Sequence, residues 1–261
     1  MNHVKLFATS ALIALTAVLM VGCGGGGGGS DSTATTPPLR RSTDAGILNL
    51  LAGTNVDSTQ FPWNNETPNY PLVTKRWALP IPVKTNGDAR VVPAMNALEA
   101  KLGITLFDRT SIENLPDDGV AFTRGIVFSQ GTAYFPPGAA AGSYCANVSG
   151  YTNGFPHGGF PTGFLSAPGE MAKAGTTVVN AGPPASTSTK LYINLDNPQC
   201  TASAFVVIHE FGHALGLGSH FAGFGFDDKS DNQQDFYDVL KTLYSVPPGT
   251  AKASITAVRL P

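Results

Sequence analysis

Apolar positions recur along this chain with two different periods, and each period predicts a different kind of element. Residues 11–21 are almost wholly apolar behind a start that carries His3 and Lys5. The run is too short to span a bilayer and has the length of the apolar centre of a secretory signal. A short helix is predicted over Asp44–Leu51. Residues 76–84 alternate in part and predict a strand, with Pro80 and Pro82 confining it to an edge or to irregular pairing. Val92, Met95, Leu98 and Leu102 then fall at helical spacing, so the helix Val91–Leu102 should stop at Gly103. Residues 104–108 and 120–128 read as strands, and 132–135 as a further strand candidate. Residues 134–175 are rich in glycine, proline and aromatic side chains and predict a long irregular connection. Leu191, Ile193 and Leu195 share one face of a half-buried strand over 191–196. Thr201 or Ser203 can cap the helix that follows. Its core face carries Ala204, Val207, Ile208, Phe211 and Leu215, and its other face Phe205, His209, Gly212, His213 and Gly216. A last helix is predicted from Phe236, Val239, Leu240, Leu243 and Tyr244, ahead of Pro247 and Pro248.

The length, 261 residues, suits one domain with a sizeable core plus appendages. Thirty glycines and twenty prolines favour long irregular connections around a modest regular core. Charged residues make up 13% and the formal net charge is −2, which gives no electrostatic case for nucleic acid as a partner. The small residue Gly22 before Cys23 resembles a bacterial lipoprotein processing site, with Met20 where leucine is commoner. On that reading Cys23 carries lipid and anchors an exported, monomeric protein to the cell envelope, with its domain periplasmic or extracellular. The alternative is an ordinary signal peptide with an incidental cysteine. The expected organisation is a signal peptide over 1–22, a glycine-, serine- and threonine-rich tether over 23–38, a wrapping or pro-like segment over 39–71, and the main domain over 72–261. Cys145 and Cys200 remain as an even pair in an exported chain and are expected to form a disulfide.

The chemistry concentrates at residues 209–220, HEFGHALGLGSH, which hold three of the four histidines beyond the signal segment. On a helix, His209 and His213 project one turn apart from one face and can take two corners of a tetrahedral zinc site. Glu210 lies about 100° further round. There a carboxylate borders the same face and can reach a water at the metal without binding the metal. Gly216 can adopt a left-handed conformation, letting the chain leave the helix, reverse and present His220 to the same ion. The fourth histidine, His157, is read as a solvated loop residue, with a second metal or a substrate contact as the alternative.

The run H-E-x-x-H-x-x-G followed by His220 resembles the zinc-binding signature of the metzincin metallopeptidases, and HEFGHALGL is most similar to the matrixin branch. The resemblance implies His209, His213 and His220 as ligands of one catalytic Zn2+, Glu210 as general base, and a protein or peptide substrate. It also implies an α+β fold: a twisted mixed β-sheet with a backing helix and an active-site helix, then a small irregular C-terminal subdomain with one helix. Two features depart from the pattern. The usual third histidine lies ten residues after the first, where this chain has Ser219, and no methionine follows Met171 to form the turn beneath the metal. The glycine-rich turn 216–218 can absorb the extra residue, and residues 221–226, FAGFGF, can supply a different apolar floor. No glutamate follows Glu210, which removes a downstream glutamate ligand; Asp227, Asp228 or Asp231 is the substitute for His220, and the same three are otherwise read as a solvated loop with helix-capping carboxylates, with Ca2+ binding as the alternative. Tyr237 or Tyr244 could stabilise an oxyanion, with core packing as the alternative for Tyr244. A Cys145 thiolate blocking the metal would resemble the matrixin cysteine switch, without that switch's flanking residues. The competing functions are an envelope-binding lipoprotein with a structural zinc site, and a zinc hydrolase of non-peptide substrates.

Overall fold

Two seven-residue strands with β-branched and aromatic side chains, Arg124–Gln130 and Thr189–Leu195, run parallel and in full register at the middle of a sheet. The computed structural model describes residues 41–57, 73–117, 120–122, 124–133, 145–150, 189–225 and 233–261. In chain order the elements are α1 (Asp44–Leu51), β1 (Ile81–Lys84), α2 (Val91–Leu102), β2 (Phe107–Asp108), β3 (Arg124–Gln130), β4 (Ala146–Gly150), β5 (Thr189–Leu195), α3 (Ala204–Ala214) and α4 (Gln233–Tyr244). The sheet order is β2-β1-β3-β5-β4, parallel throughout except for β4, which runs antiparallel to β5. The architecture is therefore mixed α/β, with a five-stranded, mostly parallel sheet.

Period-two alternation decides what each sheet face carries. Ile126, Phe128, Leu191, Ile193 and Leu195 turn to the helical side, where they join Met95, Leu98, Val207 and Phe211 in the main core. Val127 and Tyr192 turn the other way and meet Ile112 and Phe122 in a smaller cluster. Phe211 fastens α3 to the sheet, its ring 5.1 Å from those of Phe107 and Phe128. The expected C-terminal subdomain has no core of its own among the described residues: Phe236, Val239, Leu240 and Leu243 of α4 belong to the same core as the sheet.

Local chemistry sets the helix ends. The Thr43 side chain accepts from Gly46 N at 3.2 Å to start α1, and of the two caps predicted for α3 Ser203 is the one used. Gly103, at φ +64°, ends α2 as the spacing predicts. Beyond Leu51 the chain does not stop but widens into a π-helical turn over Ala52–Val56, closed by Asp57 N donating to Ala52 O at 2.7 Å. Lys75, fully buried, donates from Nζ to the carbonyls of Asn55 and Val56 at 3.0 and 2.7 Å.

Several expectations need correction. The strand read over 76–84 begins only at Ile81 and is no edge, since β2 and β3 flank it. Its pairing is nonetheless uneven: Ile81 and Pro82 register with β2, Val83 and Lys84 with β3. The ladder changes partner at Pro82, which has no N–H to donate. Ahead of it, the backbone of Lys75 is engaged by the Asn55 side chain and cannot join a sheet. The strand over 104–108 shrinks to Phe107–Asp108 because Glu99 Oε1 accepts from Leu106 N and Phe107 N. Thr132 and Ala133 form no strand, although Ala133 N donates to Asp196 O at 2.9 Å. β4 was hidden inside the segment read as irregular. The expected disulfide pair holds it in place: the Cys145 and Cys200 sulfurs lie at bonding distance, with Cα atoms 5.5 Å apart, next to the start of α3. On the core face of α3, Ala204 is exposed and Ile208 only half-buried. The signal, the lipidation site Cys23, the tether, His157, Asp227, Asp228 and Asp231 lie outside the described residues. Among the described residues, no helix is long and apolar enough to cross a membrane.

Candidate metal centre

The helical spacing that places His209 and His213 on one side of α3 brings their ring centroids to 4.9 Å. His220 reaches them from the loop beyond the helix, with its ring 4.8 Å from His209 and 4.9 Å from His213. Its Nε2 stands 3.0 Å from Nε2 of each. Two nitrogens at that separation, each about 2.1 Å from a common point, subtend roughly 90° there, within reach of a zinc coordination shell. The three residues form a group fit to hold one metal ion.

Ring orientation is fixed from the far side of each helix-borne imidazole. His209 Nδ1 lies 3.2 Å from Phe224 O, and His213 Nδ1 lies 2.7 Å from Leu217 O. A carbonyl can only accept, so both Nδ1 atoms carry the proton and both Nε2 lone pairs face the shared point. Burial, with a smaller push from His220, lowers His209 to about 4. Burial and its two histidine neighbours lower His213 well below the ordinary value, and burial lowers His220 as well. All three are neutral at pH 7, the form that binds a metal.

Gly216 makes the approach of His220 possible. Its φ is +114°, and a Cβ there would stand 2.6 Å from Lys75 O. The bend carries the chain through Gly218 and Ser219, and the one-residue lengthening relative to the metzincin spacing is absorbed before His220. The substitute aspartates are not needed to complete a three-ligand group.

Beneath the histidines lies Phe224, fully buried, with its ring centroid 5.0, 4.7 and 5.1 Å from those of His209, His213 and His220. This ring is the apolar floor that residues 221–226 were expected to provide. Phe236 of α4 backs it at 5.3 Å. The same Phe236 explains Gly212 in mid-helix, because a Cβ there would come within 2.6 Å of its ring. Gly225 completes the fit: a Cβ would meet His209 Cα at 2.8 Å.

Glu210 is 6% exposed, and burial pushes its carboxyl up to about 8. Among the described residues none hydrogen-bonds to that carboxylate, so it is committed to no structural partner. His220, in contrast, is exposed, so the three-histidine group opens to solvent on that side. Of the two candidate tyrosines, Tyr244 donates to Leu215 O at 2.9 Å and is a packing residue that caps α3. Tyr237 packs beside Phe236 and under the Lys101 ammonium of the backing helix. Cys145 is engaged with Cys200 and is no candidate to block the site.

Sequence reasoning missed Thr54 and Asn55, which hold the loop carrying His220 by contacts made across more than 160 residues. It also missed Phe236, although a glycine inside an apolar helix face is itself a signal of close approach. No known protein family, characterised protein or solved structure matches this chain.

Proposed function

We propose that this protein is a zinc-dependent endopeptidase of metzincin, matrixin-like character, exported and held at the bacterial envelope through lipid on Cys23. The observation that carries the reading is the meeting of three neutral imidazoles, through Nε2, with a buried glutamate next to His209 on the same helix that hydrogen-bonds to none of the described residues. His209, His213 and His220 would hold the ion. Bound there, zinc would supply Lewis acidity, polarising a carbonyl and bringing the pKa of a water down to about 7. Glu210 takes the proton from the attacking water and passes it to the departing amine nitrogen as the peptide bond breaks. Burial suits it to that exchange, since a carboxyl near neutrality can both accept and donate at working pH. His209 and His213, locked by carbonyls, keep their orientation through the cycle.

The sheet supports an extended protein substrate. β5 is flanked on both sides, and β4, antiparallel to the rest, is the end strand of the sheet among the described residues. An end strand is the position at which an extended peptide would be added to a sheet. The exposed side of the histidine group favours an enzyme over an envelope-binding protein with a structural zinc site, because structural sites are closed.

The test is purified protein assayed for zinc content and for chelator-sensitive cleavage of an unstructured protein. Glu210→Gln is expected to keep stoichiometric zinc and lose cleavage by about a hundredfold or more. His213→Ala is expected to lose both. Cleavage by Glu210→Gln at the wild-type rate would remove the general-base assignment, and a metal-free wild type in zinc-containing buffer would remove the whole reading.

A further inference from the structure

We propose that Thr54, anchored by Asn55, is the positioning residue for His220, so that metal affinity is set in part by the N-terminal segment rather than by the histidine motif alone. The proposal rests on the reading of the three histidines as a metal centre.

α3 organises its own exit only as far as Leu217. Gly216 N donates to His213 O at 2.9 Å, Leu217 N to Gly212 O at 3.0 Å, and His213 Nδ1 binds Leu217 O. Past that point the grip passes to the π-helical turn Ala52–Val56. Gly218 N donates to Thr54 O at 2.7 Å, and Thr54 Oγ1 donates to Ser219 O at 2.7 Å. Ser219 C=O belongs to the peptide that ends at His220 N, so the threonine hydroxyl sets the plane from which the third imidazole departs. Two glycines in three positions would otherwise leave that plane free to rotate.

Asn55 makes the grip rigid. Its Nδ2 donates to Gly216 O and to Lys75 O, both at 2.7 Å, while its Oδ1 accepts from Lys75 N at 2.9 Å. The side chain is fully buried, and Lys75 Nζ holds the backbone carbonyl of the same residue. Asn55 thus ties the π-helical turn both to the segment leading into β1 and to the bend at Gly216. Thr54, 2% exposed, sits on that fixed base. Its hydroxyl acts on no ligand atom, which makes it a positioning group and not a catalytic one.

The experiment compares zinc affinity, by competition with a chromophoric chelator, in the full chain and in Thr54→Val and Thr54→Ser variants, each made with and without His220→Ala. Thr54→Val keeps the shape and removes the donor. It is expected to weaken zinc binding by about tenfold or more, the scale at which outer partners of ligands act, and to alter the visible spectrum of the cobalt-substituted protein. Thr54→Ser is expected to retain wild-type affinity. With His220→Ala in place, Thr54→Val should cause no further loss, because its effect passes through His220. Equal losses in both backgrounds, or wild-type affinity in Thr54→Val, would overturn the proposal while leaving the metal centre standing; absent zinc binding by the wild type would remove both. Should Thr54→Val fail to fold, amide exchange in the metal-free wild type decides: protection of Gly218 N–H supports the clamp, and exchange at the rate of an open peptide overturns it.

Discussion

At the scale of single residues, the site is governed by a few positions where nothing but the residue present will fit. Gly216 is the sharpest case. A methyl group would have to sit 2.6 Å from Lys75 O on a backbone at φ +114°, so Gly216→Ala should lower stability by about 1–3 kcal/mol, measurable as a shifted urea midpoint, and should weaken zinc binding with it. Wild-type stability in that variant would mean the bend is not as described. His209, Glu210 and His213 were legible in the sequence because four-residue spacing on a helix is a local fact. His220 was legible at one remove, through the glycines before it. Thr54 was not: a hydroxyl bonded to a carbonyl 165 positions away leaves no periodic trace. Phe224 lay between these cases, since its segment announced an apolar turn without saying which ring would lie under the histidines.

Elements follow the same division between local and distant causes. α1, α2 and α3 were readable because apolar spacing and end residues are set within each segment, as at Gly103 and Ser203. β1 and β2 were misjudged in length because their ends are decided by side chains elsewhere, Asn55 engaging Lys75 and Glu99 engaging Leu106 and Phe107. β4 has no apolar alternation of its own; it forms because β5 offers a free edge and Cys200 tethers its first turn. The weight of the metal centre rests on α3, and α3 is seated on the sheet through Phe211 against Phe107 and Phe128. Phe211→Ala should therefore cost about 3–5 kcal/mol in denaturant unfolding. A loss below about 1 kcal/mol would mean that α3 is held chiefly by its ends.

For the molecule as a whole, the three histidines and the buried glutamate pull stability in opposite directions with pH when no metal is bound. The folded state lowers His209 from 6.5 to about 4, with His213 and His220 lowered too, so the unfolded chain binds more protons in that window. Their contribution is complete above pH 6.5 and is lost as the pH falls toward 4. Glu210 is raised from 4.5 to about 8, so its contribution is complete below 4.5 and is lost as the pH rises through 8. Three groups outweigh one on the acid side. The metal-free protein should be most stable near pH 6.5, falling steeply below it and gently above, as urea midpoints taken from pH 4.5 to 8.5 will show; a midpoint that rises on acidification below pH 6.5 would contradict the lowered imidazoles. The main core also carries a consequence for biosynthesis. The Ala52–Val56 turn that grips the histidine loop is made early, while Phe236, which wedges behind Phe224 and Gly212, is made late. A nascent chain thus spells out its metal signature, and the turn that grips it, before it has the rings that floor it, and a fragment truncated at His220 holds all three ligands over an unfilled base.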